Sequence, residues 1–179
     1  MKGNGAVVVA HPDDETLWAG GLIASSENVT VICCTVPRKD PERALKFFDA
    51  VRVLGGYPVL VPFVEPSPLE DIEHLDVLQL SGFDWIATHN ANGEYGHRHH
   101  KNVHEWVKSN ADCPVFTFGH GQDCDDHVVD LTGDYGASKF AALECYDSYS
   151  PADSGLPKWV ALMNTYDIDR KREVYCAEC

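Results

Sequence analysis

Gly5-Ala6-Val7-Val8-Val9-Ala10-His11-Pro12-Asp13-Asp14-Glu15 carries a short apolar run straight into one imidazole and three carboxylates. The run Ala6 to Val9 is mostly β-branched, with Gly5 before it and Pro12 after it, as in a strand buried on both faces of a parallel sheet. Sheets of that kind place their chemistry at the C-terminal ends of strands. There the sequence puts His11, Asp13, Asp14 and Glu15. Acids packed so closely repel one another unless a cation sits among them. A divalent metal held by His11 and one carboxylate, with another carboxylate left as a base, resolves that repulsion. Helix capping would explain Asp13 and Asp14, but it needs neither the histidine nor the second acid.

Outward from this stretch, Thr16 to Ala24 reads as a helix, and Gly20-Gly21 allows it to approach the sheet closely. Val29 to Thr35 is a second buried strand. Pro41 to Leu54 places Ala44, Phe47, Phe48, Val51 and Leu54 at helical spacing, with proline at the start and Gly55-Gly56 at the end. Strand, helix, strand, helix is the opening of a parallel sheet. Pro58 to Phe63 is a third strand, near an edge because of its prolines. A Pro-rich loop and a mixed acidic segment, Leu69 to Leu80, lead to a fourth strand, Asp84 to Thr88. Pro114 to Phe118 and Val128 to Leu131 read as further strands and Ala137 to Tyr146 as a helix. Trp159 to Tyr175 receives no assignment. The expectation is one α/β domain over residues 1–179.

With 179 residues, 44% of them hydrophobic and 10% aromatic, the chain can bury a sizeable core. Its formal charge of −14 argues against a nucleic-acid backbone or an anionic membrane as partner. A neutral or cationic small molecule suits it better. No apolar stretch approaches the roughly 20 residues of a membrane span, and the N-terminus does not read as a signal peptide. Seven scattered cysteines, an odd number, suggest free thiols in a reducing cytoplasm. Cys176 and Cys179 have the spacing of half a zinc knuckle but are expected to form a frayed tail.

A second dense stretch, His89-Asn90-Ala91-Asn92-Gly93-Glu94-Tyr95-Gly96-His97-Arg98-His99-His100, follows the fourth strand. Two such stretches after two parallel strands can meet at a switch point. From His97 to Asn110 the pattern is helical, and His97, His100 and His104 fall three and four apart on one face. A catalytic zinc site takes three protein ligands and keeps one position open. His11, Asp14 and one histidine between His97 and His100 can supply them. His104 is expected to pack, and His89 to be either a support for the site or an exposed loop residue. The loop carrying His120, Asp123, Asp125, Asp126 and His127 reads as solvated surface or as a pocket rim, with surface favoured. No Gly-x-Ser-x-Gly elbow provides a nucleophile, and no Gly-x-Gly-x-x-Gly turn follows the first strand to bind a dinucleotide.

With these two stretches the chain resembles the PIG-L/LmbE-like family of metal-dependent deacetylases, many of which remove acetyl groups from N-acetylglucosamine units. His11-Pro12-Asp13-Asp14-Glu15 matches the family's first motif in full. Gly96-His97-Arg98-His99-His100 corresponds to its Gly-His-Pro-Asp-His. Gly20-Gly21, Arg43 to Gly55, Lys139 and Tyr146-Asp147-Ser148 are weaker echoes. The resemblance implies His11, Asp14 and His100 as zinc ligands and Asp13 as general base. It further implies His97 as an oxyanion contact, Tyr95 as a second one, and Arg43 as a substrate contact. Arg98-His99 replaces the usual Pro-Asp, so the acid expected beside His97 is missing. Adjacent helical positions point about 100 degrees apart, so only one of His99 and His100 is expected to face the metal, and the spacing from His97 favours His100.

The implied fold is Rossmann-like, a three-layer α/β/α arrangement with a mostly parallel sheet. The implied activity is zinc-dependent removal of the N-acetyl group from an N-acetylglucosamine-type amino sugar or glycoconjugate. Two other readings stay open: an amidase of the same family acting on a non-sugar or thiol-conjugate amide, and a metal-retaining, inactive binding module. A His/Asp/His set also suits iron or cobalt.

Overall fold

A computed structural model of the protein describes residues 1–65, 72, 74–146, 163–164 and 168–178. Seven strands form one sheet in the order β3-β2-β1-β4-β5-β7-β6: β1 Asn4–Val9, β2 Asn28–Cys33, β3 Tyr57–Leu60, β4 Trp85–Thr88, β5 Val115–Phe118, β6 His127–Asp130 and β7 Arg172–Ala177. The first five run parallel. β7 pairs antiparallel to both β5 and β6. The expected Rossmann-like, mostly parallel sheet is therefore present, and β3, the strand with the proline, lies at its edge. β7 is the element that the sequence left unassigned. The segment 159–162 before it, the acidic stretch from Leu69 to Asp71, the Asp147-Ser148 echo and Cys179 lie outside the described residues.

Alternation along the strands builds two cores. Val7, Val9, Val31 and Cys33 face one side with Leu17, Phe47 and Leu143. Those three residues belong to helices α1 (Asp14–Ala24), α2 (Arg43–Val53) and α5 (Asp134–Glu144). Ala6, Val8, Ile32 and Ile86 face the other side with Val103 and Val107, which belong to α4 (Arg98–Asn110). This is the three-layer arrangement. Gly20 meets the stem of Lys139 where α1 crosses α5, and Gly21 meets Leu131 and Glu173, so a β-carbon at either position would collide. Lys139, fully buried, is paired with Glu173 at 2.7 Å.

Two expectations about the cysteines are corrected. Cys124 and Cys176 form a disulfide, so the thiols are not all free; Cys33, Cys34, Cys113 and Cys145 are. Cys176 belongs to β7 and is buried, because that strand is paired on both sides; it is not part of a frayed tail. Among the described residues no helix is long and apolar enough to cross a membrane.

The chain leaves β1 toward β2 and β3 on one side, then returns to place β4 on the other side of β1. Strand order reverses at that seam, and the segments leaving β1 and β4 open outward together.

Candidate metal centre

His11 and Asp14 bracket the turn between β1 and α1. Asp14 Oδ2 accepts from the His11 amide at 2.9 Å and lies 3.2 Å from His11 Nδ1. Asp13 adopts φ 108°, in the left-handed region, and caps no helix with its side chain. Two contacts fix this unusual turn: the Asp13 amide donates to Glu15 at 3.0 Å, and Arg43 donates to Asp13 Oδ2 at 2.6 Å. Glu15 is fully buried and also accepts from Thr16 and Tyr146. Burial pushes its carboxyl up to about 7.

The second half of the centre comes from the segment after β4. Asn90 Oδ1 accepts the amides of Asn92 and Glu94, and its amide nitrogen donates to the carbonyls of Phe118 and His120. The short helix α3 (Gly93–Gly96) then holds Glu94 at φ 55°. A non-glycine residue there costs on the order of 1–3 kcal/mol and persists only when its surroundings over-determine it. Here they do. Glu94 Oε1 accepts from the Asn90 amide at 2.9 Å, and Oε2 lies 2.8 Å from His89 Nδ1 and 2.5 Å from His100 Nδ1.

These contacts assign the tautomers. His89 Nε2 accepts from the Ala10 amide at 3.0 Å, so its Nδ1 carries the hydrogen given to Glu94. His89 is thus a buried support, and the alternative of simple loop exposure is excluded. His104 packs, bonding through Nδ1 to the carbonyl of His89 at 2.9 Å. His100 Nδ1 also faces Glu94, which leaves Nε2 with a lone pair. That atom is buried, has no hydrogen-bond partner and lies 3.3 Å from Asp14 Oδ2. A bare lone pair cannot face a carboxylate, so the metal-free protein carries a proton on this nitrogen, and a metal would take that proton's place. Burial opposes a charge on His100, but Asp14 and Glu94 outweigh it and push the imidazole up to about 10. Burial likewise opposes ionisation of Asp14, yet His100, His11 and His89 hold its carboxyl well below the usual range. The same arrangement suits a divalent metal. Ligand atoms of His11, His97 and His100 lie within 4.8 Å of one another, as do those of Asp14, His89 and His100. The His89 nitrogen nearest Asp14 is already taken by the Ala10 amide, while Asp14 Oδ2 lies 3.2 Å from His11 Nδ1 and 3.3 Å from His100 Nε2.

His97 caps α4 and accepts the His99 amide through Nδ1 at 3.3 Å. Burial and the neighbouring imidazoles push it down to about 3, so it stays neutral with its hydrogen on Nε2. Tyr95 is 43% exposed, and its ring stands edge-on to His97 and His100. Arg43 contacts Asp13 directly, a pairing that the sequence did not suggest. The expectation that only one of His99 and His100 faces the centre is corrected. Both are fully buried, and His99 Nδ1 lies 3.0 Å from His11 Nε2. They sit in the first turn of α4, where His99 reaches His11 Nε2 while His100 turns its ring between Asp14 and Glu94.

A cavity of about 490 Å³ lies between Trp18, Phe118, His120, Asp123, Asp125 and Arg172, and none of His11, Asp13, Asp14, His97 or His100 lines it. Of the two readings of this loop, the pocket rim holds for His120, Asp123 and Asp125, with the His120 ring lying 5.1 Å from the Trp18 ring.

Fold and ligand cluster together define a Rossmann-like α/β domain with a buried histidine and carboxylate centre at its switch point. No family model matches the chain. Among curated proteins it is 43% identical over 61 aligned positions to a 1D-myo-inositol 2-acetamido-2-deoxy-alpha-D-glucopyranoside deacetylase from Actinosynnema mirum, a match covering 30% of this chain and 22% of that protein. The match to the enzyme of the same name from Tsukamurella paurometabola is 41% identical and covers 30% and 20%. The chain thus spans about a fifth of the length of the curated relatives it matches. Among solved structures, an N,N'-diacetylchitobiose deacetylase from Pyrococcus horikoshii superposes with a TM-score of 0.71 at 15% identity, covering 98% of this chain and 84% of that one. GalB, the 4-carboxy-2-hydroxymuconate hydratase of Pseudomonas putida KT2440, superposes with a TM-score of 0.66 at 16% identity, covering 98% and 96%. The fold is shared with both. The sequence match is confined to 61 positions, and at these identities the solved structures share the fold with this chain.

Proposed function

We propose that this protein is a metal-dependent N-deacetylase acting on an N-acetylglucosamine-type amino sugar or glycoconjugate. One observation carries the reading: the buried Nε2 of His100, without a hydrogen-bond partner, faces Asp14 Oδ2 and shares that oxygen with His11. His11, Asp14 and His100 would hold the metal, with zinc as the ion of choice for two imidazoles and a carboxylate. When bound, such an ion supplies Lewis-acid polarisation of a carbonyl and activation of water.

The chain's own groups supply the rest. Arg43 occupies Oδ2 of Asp13, so the other oxygen of that carboxylate takes the proton from the attacking water and returns it to the departing amine. His97, neutral with its hydrogen on Nε2, donates to the oxygen that gains charge as the amide carbon becomes tetrahedral. Tyr95 stands beside it as a second contact. Arg43 orients the base first and meets the sugar only at the edge of the site. The formal charge of −14 suits a neutral or amine-bearing substrate better than an anionic one.

The curated relatives favour deacetylation over hydration, since the hydratase resembles this chain in fold alone. The test is metal analysis of the purified protein together with amine release from N-acetylglucosamine, N,N'-diacetylchitobiose and inositol-linked N-acetylglucosamine. We expect about one tightly held ion per chain, release from at least one of these substrates, and loss of most turnover in Asp13→Asn with the metal retained. Metal without amine release from any of them would instead favour the inactive binding module.

A further inference from the structure

The reading above leaves His99 and Glu65 unused, although both reach the same histidine. His11 Nε2 lies 3.0 Å from His99 Nδ1 and 3.6 Å from Glu65 Oε1, and His99 Nδ1 lies 3.8 Å from that oxygen. The point equidistant from these three atoms is about 2.0 Å from each, the length of a zinc–nitrogen or zinc–carboxylate bond. We propose that His11, His99 and Glu65 form a second divalent-cation site, adjoining the first and filled after it.

The three donors are held in place independently of any ion. A parallel bridge between Val36 and Val64, with the Glu65 amide donating to the Val36 carbonyl at 2.8 Å, fixes the segment that carries Glu65. His99 is locked into the first turn of α4 and fully buried. The Glu65 side chain is 26% exposed, which gives an ion a route in from solvent and a position for water as fourth ligand. His11 offers its two nitrogens to different partners: Nδ1 turns to Asp14 and Nε2 to His99 and Glu65. With both sites filled the ring bridges two ions as imidazolate, and the proton shared by His11 and His99 passes to solvent. That deprotonation makes the second ion the weaker of the two.

The inference rests on the first site lying at His11, Asp14 and His100, so the experiment separates them. The full chain, stripped with chelator, is titrated with zinc chloride by calorimetry, and bound zinc is counted by elemental analysis after dialysis at saturating zinc. We expect two ions in the wild type, the second at least tenfold weaker, and one ion in His99→Ala and in Glu65→Gln, each keeping the tight phase. Glu65→Gln alters a partly exposed side chain and guards against misfolding in the His99 variant. His100→Ala tests the first site separately by removing the tight phase. A wild type that saturates at one ion overturns the second site and leaves the deacetylase reading standing. Two ions in both His99→Ala and Glu65→Gln also overturn it, because the second ion would then sit elsewhere.

Discussion

Glu94 Oε2 lies 2.5 Å from Nδ1 of His100, and the same oxygen holds His89. A single carboxylate, on a backbone in the left-handed region, thereby sets the tautomer of the histidine that presents Nε2 to Asp14. Supports of this kind usually govern metal affinity by 10–100-fold. Glu94→Gln keeps the shape but cannot accept equally from both rings. We expect zinc affinity at the tight site to fall by about that factor, read by competition with a chromophoric chelator, with the circular dichroism of the protein unchanged.

Metal uptake should depend steeply on pH. In the metal-free protein His100 is pushed up to about 10, against burial, by Asp14 and Glu94. A ligand must shed its proton to bind. Between the ordinary histidine range and about 10 the folded protein therefore holds a proton where the metal goes, and apparent affinity rises about tenfold per pH unit for each proton displaced. The sign for folding runs the other way. Stability contributed by the charged His100 in the metal-free protein is complete below its unfolded value and is lost as pH rises toward 10. Chelator competition and thermal melts at pH 6.5 to 9.5 read both slopes.

Arg43 should set the acid limb of activity. Burial raises the Asp13 carboxyl, and the charge of Arg43 acts against that rise. Arg43→Met removes the opposing charge, so Asp13 becomes protonated at higher pH. The acid limb of kcat/KM is then expected to move upward, with a lower plateau because the base is no longer held. An unchanged limb would mean that another group takes the proton.

The Cys124–Cys176 disulfide closes a loop spanning 52 positions and ties the cavity wall to β7. Loops of that length gain about 4 kcal/mol from the restricted unfolded chain. Cys124→Ser should shift guanidinium unfolding by about that amount relative to the oxidised wild type, and reductant should shift the wild type alone.

Much of the fold was legible because its first half follows simple rules. Ala6 to Val9, Val29 to Cys33 and Trp85 to Thr88 are continuous apolar runs bounded by glycine, proline or polar residues, and they became the central parallel strands. Arg172 to Ala177 was not legible, because its buried Glu173 breaks the apolar pattern and is satisfied by Lys139, the Tyr175 hydroxyl and the amides of Gly21 and Leu22. The same division holds at the centre. His11, Asp14 and His100 are dense in sequence with other ligand-type residues and stand out. Glu65 does not, since the Val36–Val64 bridge brings it in, and the role of Glu94 stayed hidden because it depends on a left-handed turn that no propensity announces. The burial of both His99, against His11, and His100, against Asp14 and Glu94, follows from where the helix begins, which spacing alone did not reveal.

The seam between β1 and β4 also imposes an order of events. His11 and His99 stand 88 positions apart, and neither half of the chain alone presents more than part of a ligand set. Closing a connection of that length is among the slower steps for a small domain. An ion can be gripped only once the two parallel strands have met, so a chain emerging from the ribosome stays blind to metal until its second half has docked. Refolding followed with a zinc-sensitive dye should show uptake trailing the recovery of secondary structure; uptake that precedes it would place a binding-competent cluster in the unfolded ensemble.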